Sequence, residues 1–524
     1  MKREFSALRE QQFDLLICGG GIYGAWTAYD AALRGLKVAI VEQGDWASAT
    51  SSASSKLIHG GLRYLESFDF KLVKKALKER QMLLQTAPHR IWPLRFGVPV
   101  YADSRIGRLQ LKIGLMIYDF LAASSAKKMR HRYFNRQSFS RHFPLLDTIG
   151  LQGGFTYSDA QTDDARLVLE LIAGAMSAGA VCVNYCKLDS LAEAKGQVYV
   201  ATVRDQTSGV VAEVHAKQVV YATGPWSAAA KDSSKWCRVT KGVHLIMPSS
   251  QTDEALLLTA KSDGRVFFMI PWYGLTLIGT TDTDYTGDIN RVIVEEKEVA
   301  YLLDAANHYL KTTWTKACVI NSYAGLRVMK CSDKSSPSAV SRDWELKTAS
   351  NGVHYSIGGK ITSAREDAAS IVDRVCAQLG RDASCASKGR LFPWAPGENY
   401  ATWFSSIRDQ ACKLGIDAES TTWLIRRHGT RVIEVFKNIE YNQALTKRIV
   451  PTVPFIYADL MFSARNEMVV HLDDLLRRRM PLLILAKLSA ADLQRIAQDV
   501  AEIFGWDENI IQREVEACSQ YAIS

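Results

Sequence analysis

An α/β fold built on a parallel sheet is predicted by three observations. The N-terminus carries a strand, glycine turn, helix and strand in succession; two later strands end in glycine turns; and helical periodicity takes over near residue 397.

The first unit begins with the apolar run Phe13–Cys18, followed by Gly19, Gly21 and Gly24 in G-x-G-x-x-G spacing. Gly19 suits the tight turn, Gly21 lets backbone approach a pyrophosphate, and Gly24 lets helix and strand pack closely. Phosphates then sit on the helix N-terminus, where unpaired N–H groups and the dipole favour anions. Leu36 to Val41 reads as the second parallel strand and ends at Glu42, where an acidic residue binds ribose hydroxyls.

Farther along, apolar residues from Phe70 to Thr86 recur at helical spacing, and Pro88, Pro93 and Pro99 then punctuate extended pieces. Asp164 to Ala178 predicts a helix, Val181 to Tyr185 a strand, and Val198–Val200 one arm of a hairpin. Gln218 to Tyr221 predicts a strand stopping at Ala222-Thr223-Gly224-Pro225-Trp226, and Tyr355 to Ile357 one stopping at Gly358-Gly359-Lys360-Ile361-Thr362. Together with the first glycine turn, these suggest one sheet whose carboxyl edge converges on a dinucleotide. Val266–Ile270 and Leu275–Gly279 belong to a separate β-rich region. After Pro393, Pro396 and Gly397 the periodicity is helical, with bundle helices expected over Leu475–Ser489 and Ala490–Phe504.

The 524 residues, 47% hydrophobic, are enough for several domains around large cores. The charged start Met1–Ser6 lacks an apolar h-region, which predicts a cytoplasmic protein without a signal peptide. Ten cysteines without C-x-x-C spacing predict reduced, mostly buried thiols and no metal site. No run reaches the ~18 apolar residues of a spanning helix. A net charge of +9 with dispersed cations gives no nucleic-acid footprint. The segment Arg105 to Arg132 mixes Leu109, Ile113, Met116 and Leu121 with Arg108, Lys112, Lys127, Lys128 and Arg130. It suits either an anionic membrane surface or a helix packed on its own protein, and Arg477-Arg478-Arg479 carries the same ambiguity.

Five segments in order make the pattern specific: Gly19–Gly24, the run Ser51 to Glu66, Ala222–Trp226, Ile278–Asp282 and Gly358–Lys360. This set resembles the FAD-dependent, quinone-linked glycerol-3-phosphate dehydrogenases over residues ~13 to ~370. The resemblance implies a glutathione-reductase-type FAD-binding Rossmann domain, an interleaved β-rich substrate domain and a helical C-terminal cap domain. The FAD segments would be about 12–90, 150–226 and 352–385, the substrate segments about 91–149 and 227–351, and the cap 397–524.

It further implies oxidation of sn-glycerol 3-phosphate to dihydroxyacetone phosphate by hydride transfer to flavin N5, with electrons passed to a quinone. Peripheral association with the inner face of the cytoplasmic membrane would follow, and a homodimer is compatible. For the substrate phosphate the resemblance points to Arg63 and Arg327, whose guanidinium forks suit an anion, and for the general base to His244. Tyr64, Thr281 and Lys360 are the further substrate contacts. Around FAD it places Gly19, Gly21, Ile22, Tyr23, Gly24, Glu42 and Gln43, then Thr50, Ser51, Ser52, Ser55, Lys56, Leu57, Gly60, Gly61 and Leu62. Lys187, Ala222, Thr223, Gly224, Trp226, Gly359, Lys360, Ile361 and Thr362 complete the cofactor set.

Departures from the family pattern lie at Tyr23 and Trp26, at Val328-Met329-Lys330-Cys331, and at Ile361-Thr362-Ser363-Ala364-Arg365. They bear on substrate identity more than on FAD. The alternatives are a dehydrogenase or oxidase of another phosphorylated polyol, such as erythritol phosphate, and a flavoprotein without turnover.

Overall fold

Phe13–Cys18 lies at the centre of the first sheet with every residue buried, as expected of a near-continuous apolar strand covered on both faces. Val38–Val41 and Val211–Tyr221 flank it in parallel, with Ile17 level with Ile40 on one side and Val220 on the other. The computed structural model describes residues 1–66, 68–122, 129–194, 198–229, 236–330 and 343–521. Lys127, Lys128 and Cys331 therefore lie outside the described residues.

The sheet continues outward to Val181–Val183 on one edge, and through His354–Ile357 to Glu345–Thr348 on the other. Cys186–Ala194 and Val198–Asp205 form the hairpin, which joins the antiparallel side of Val211–Tyr221. Its first arm begins after Tyr185, so the strand expected over Val181–Tyr185 ends at Val183 and serves the parallel sheet instead. Helices Ile22–Leu33, Asp164–Ser177 and Ala364–Gln378 pack together on one face and share a core of Ala28, Leu171 and Val372. Helix Phe70–Thr86 forms where its periodicity predicts; the Asp69 carboxylate accepts from the Leu72 N–H, while Val73, Ala76, Leu77 and Leu83 are buried.

The second sheet has ten strands, centred on the long antiparallel pairs of Ile91–Tyr101 with Leu151–Thr162 and of Cys237–Met247 with Asn321–Lys330. Two expected boundaries shift here. Leu151–Thr162, assigned to an FAD segment, pairs along its length with Ile91–Tyr101, whereas Glu345–Thr348, assigned to a substrate segment, pairs with His354–Ile357 in the first sheet. Both strands lie where the chain passes from the second sheet back to the first, a point that periodicity does not mark.

Beyond residue 397 the chain is helical, from Tyr400–Lys413 to Glu508–Ser519. Ala490–Phe504 starts on a Ser489/Asp492 capping box and stops at Gly505 in the left-handed conformation. The helix expected over Leu475–Ser489 is absent. A π-helical turn, Asp474–Arg479, and a single turn, Leu482–Leu485, replace it, because Pro481 lacks an N–H and fixes φ between them. Arg478 and Arg479 are 5% and 0% exposed, which removes them from any membrane-facing surface.

The helical domain meets the rest of the chain along a buried ionic seam. His428 and His89, whose pKa values burial lowers, hydrogen-bond Asp459 and Glu170, while Arg166 pairs with Glu467, Arg427 with Asp459 and Arg90 with Glu170. Such pairs are expensive to break, since removing one partner strands a buried charge at a cost of about 3–5 kcal/mol.

His428 lies at the middle of this seam, and burial holds its pKa down to about 4 from the ordinary 6.5. Between those values the unfolded chain binds a proton that the folded chain does not, so stability falls as pH drops from 6.5 towards 4 and levels off below. Thermal unfolding followed across that window is expected to show a falling midpoint, and His428→Gln is expected to flatten the slope.

Candidate active site

Four parallel strands end at one edge, at Cys18, Val41, Tyr221 and Ile357, and the turns that follow them enclose a cavity of about 430 Å³. That volume is ordinary for a cofactor site. At the first turn Gly19 holds φ +112°, and a Cβ there would lie 2.5 Å from the Ala222 carbonyl oxygen. A Cβ on Gly24 would meet the Gly19 carbonyl oxygen at 1.9 Å, the close helix–strand approach inferred from the motif. Gly21 precedes helix Ile22–Leu33 in extended conformation, and the Ser51 hydroxyl accepts from the Ile22 N–H at 2.9 Å. The fit to a dinucleotide rests on this glycine-lined helix N-terminus, where Gly19 and Gly21 border the cavity and Gly24 lets the helix approach the strand.

Glu42 faces the cavity with each carboxylate oxygen already holding one amide, Gly20 at 2.5 Å and Gly44 at 2.8 Å, and burial raises its pKa. Gln43, Thr50, Ser51, Ser55 and Leu57 line the same cavity, as does Lys187, next to Cys186 whose N–H donates to the Glu42 carbonyl. Across from them stand Ala222, Thr223, Gly224 and Trp226, then Gly359, Lys360 and Ile361. Tyr23 also lines the cavity: its hydroxyl donates to Asp367 at 2.8 Å and accepts from the Lys360 N–H at 3.0 Å. Gly359 leaves the room for it, since a Cβ there would come within 1.7 Å of that hydroxyl.

Several expected contacts are instead behind the wall. Gly24 packs on Gly19, and Ser52 donates its hydroxyl to the Ala49 carbonyl. Lys56 is buried with its ammonium 2.6 Å from Asp164 and 2.7 Å from the Ser52 carbonyl, bracing the serine loop from below. The Gly60 N–H goes to Tyr118 and Asp159, Gly61 turns the chain at φ +76°, and Leu62 begins a short helical turn. The Thr362 hydroxyl accepts from the His59 N–H at 3.1 Å.

The far end differs most from expectation. His244 is 1% exposed, stacks on Tyr323, and has Nε2 2.8 Å from the Ser55 hydroxyl; among the described residues its Nδ1 has no partner. Burial, then Arg327 and Lys56, push its pKa well below the ordinary range, so the ring is neutral. The imidazole that lines the cavity is His59, with Phe268, Thr280, Arg327 and Lys360. Its signal was available, a histidine before Gly60-Gly61 within the quoted run, but a two-residue strand, Leu57–Ile58, sets its direction. Thr281 spends its hydroxyl on the Val243 N–H at 2.9 Å, and its neighbour Thr280 accepts from Arg327 Nη2 at 2.8 Å. Arg327 Nη1 also reaches Asp282 at 3.1 Å. The Tyr64 ring lies 3.9 Å beneath the Lys360 ammonium and 5.8 Å from the Arg63 guanidinium, outside the lining.

Comparison with known proteins identifies this architecture. Residues 14–365 match the family model described as FAD dependent oxidoreductase, and residues 395–510 match the C-terminal domain of alpha-glycerophosphate oxidase. The chain is 33% identical to a glycerol-3-phosphate dehydrogenase from Synechocystis sp., covering 99% of this chain and 98% of the relative. It is equally 33% identical to an aerobic glycerol-3-phosphate dehydrogenase from Staphylococcus haemolyticus, covering 90% and 87%. The solved glycerol-3-phosphate dehydrogenase from Bacillus halodurans, complexed with FAD, superposes with a TM-score of 0.80 at 28% identity, over 98% of this chain and 95% of that one. A flavin oxidoreductase fold with a helical appendage is thus defined, and the chain belongs to the FAD-dependent glycerol-3-phosphate dehydrogenase and oxidase family. Its cofactor is FAD.

Gly24→Ala drives a methyl group into the Gly19 carbonyl, so the variant is expected to purify with less than about a tenth of the wild-type flavin. Absorbance at the flavin band relative to protein measures this directly.

Proposed function

We propose that the chain oxidises the C2 hydroxyl of sn-glycerol 3-phosphate to dihydroxyacetone phosphate and delivers the electrons to a membrane quinone. One observation carries the reading: the cavity that starts at the glycine turn ends among His59, Thr280, Arg327 and Lys360, where an imidazole and two cations face one space. FAD, when bound, supplies the two-electron acceptor for the C2 hydride. Arg327, fixed by Thr280 and Asp282, and Lys360 hold the phosphate dianion, and Arg63 adds charge from outside the lining. His59 takes the hydroxyl proton, a role for which we prefer it to His244, which reaches the cavity only through the Ser55 hydroxyl.

Helix Arg108–Leu121 supports the quinone assignment. Its inner residues Leu111, Leu115 and Tyr118 pack on the protein, while Leu109, Ile113, Met116 and Phe120 are 50–82% exposed along the opposite stripe. With Arg105, Arg108 and Lys112 beside it, the stripe suits the cytoplasmic surface of an anionic bilayer. No helix among the described residues is long and apolar enough to cross a membrane. The C-terminal match to alpha-glycerophosphate oxidase favours a second reading, in which oxygen is the acceptor.

Anaerobic addition of glycerol 3-phosphate is expected to bleach the flavin absorbance while glycerol does not; a flavin left oxidised by both would refute the substrate assignment. Reoxidation of the bleached protein by a soluble quinone against oxygen then separates the two readings. Arg327→Met is expected to raise KM about 10–100-fold, and His59→Asn to lower kcat about 100-fold or more with a smaller loss for His244→Asn, by steady-state kinetics. Replacing Leu109 and Phe120 by Glu is expected to abolish sedimentation with anionic vesicles.

A further inference from the structure

The loop that follows Glu42 is held from the C-terminal domain. Asp45 is 1% exposed, and its carboxylate accepts from Arg478 Nε at 2.5 Å, from both terminal nitrogens of Arg479, one of them at 2.9 Å, and from Asn184 at 3.2 Å. Arg479 continues to the carbonyls of Glu467 at 2.8 Å and Met468 at 3.1 Å, so the guanidinium is locked at both ends. The next residue, Trp46, is fully buried and donates its indole N–H to the Met468 sulfur at 3.2 Å.

That grip reaches the cofactor turn in one further step. The Trp46 ring presses on Gly20, where a Cβ would lie 2.4 Å from it. The Ala47 N–H donates to the Gly20 carbonyl at 3.1 Å, and Ala47 itself stands at φ +62°, a conformation a non-glycine residue keeps only when its surroundings impose it. Ala47, Ser48 and Ala49 then form part of the cavity wall. Neither arginine reaches that wall, so both are positioning residues.

We propose that the C-terminal domain is a working part of the FAD site, its Arg478–Arg479 pair holding the Asp45–Ala49 loop in the cofactor-binding shape. FAD affinity and docking of the C-terminal domain are then one coupled equilibrium, and each favours the other by the same factor. A purely architectural anchor would hold the domains together without changing FAD affinity. Arg427 and Asp459 supply the comparison, a buried pair in the same interface with no contact to the loop.

The test strips FAD from the full-length protein and titrates it back, following flavin fluorescence, for wild type, Arg479→Gln, Asp45→Asn and Arg427→Gln, alongside the thermal midpoint of each apoprotein. Arg479→Gln and Asp45→Asn are expected to raise the FAD Kd about tenfold or more, with partial recovery in Arg479→Lys, while Arg427→Gln stays within about threefold despite lost stability. FAD is also expected to slow tryptic cleavage at exposed Lys388 and Arg390, between the domains, in wild type but not in Arg479→Gln. Wild-type FAD affinity in both loop variants, or an equal loss in Arg427→Gln for the same thermal destabilisation, would overturn the proposal. If Arg479→Gln does not fold, Asp45→Asn and the milder Arg479→Lys carry the test, since both weaken the grip on the loop; an unchanged Kd in both would overturn the proposal equally.

Discussion

The contact between Gly24 and the Gly19 carbonyl sets the geometry on which the rest of the structure depends. A Cβ at 1.9 Å cannot be accommodated by a side-chain shift, because the obstacle is backbone. With no Cβ, helix Ile22–Leu33 runs close beneath the sheet and brings its N-terminus to the edge where Cys18, Val41, Tyr221 and Ile357 stop. Two cavity walls are placed relative to that point: the serine loop by Ser51 on the Ile22 N–H, the last glycine turn by Tyr23 on Lys360.

The second requirement is what to do with polar groups at the domain seam. Helix Ala418–His428 ends against the FAD unit, where its final carbonyls have no intrahelical donors. Arg90 and Arg166 meet that need, donating to the carbonyls of Arg426 and Arg427 at 2.6–2.8 Å. Their charges then require Glu170 and Glu467, so the ionic network follows from a helix end buried at an interface. Hydrophobic packing alone would leave those carbonyls unsatisfied, at roughly 1–3 kcal/mol each.

What was legible in the sequence was local. The unit from Phe13 to Val41 and the helix Phe70–Thr86 are encoded in the spacing of neighbouring residues, and the chain forms them with those bounds or nearly so. The cofactor wall was legible for the same reason, since Gly19, Ser51, Ala222 and Gly359 sit on turns that the motifs mark. Where expectation failed, the deciding contact was either a one-residue choice of direction or a distant partner. Thr280 and Thr281 are chemically alike, and only distant partners separate them: the Thr281 hydroxyl accepts from the Val243 N–H, the Thr280 hydroxyl from Arg327 at the cavity wall. Arg477-Arg478-Arg479 looks like a surface cluster until Asp45, more than 400 residues away, is folded beside it.

The two histidines show the same rule acting on chemistry. His244 lies on a strand buried on both faces, and desolvation with Arg327 and Lys56 nearby keeps its ring neutral; a neutral imidazole can accept a proton, but only from the Ser55 hydroxyl it already touches. His59 lines the cavity, and its backbone is fixed by Thr362 on one side and the Gly60 contacts on the other. Arg327 is likewise set before any ligand arrives, with Nη2 on Thr280 and Nη1 on Asp282. A guanidinium plane fixed in this way loses little further entropy on meeting an anion, whereas its pairing with Asp282 must be outcompeted. On the proposed assignment, a phosphate dianion does that better than a monoanion.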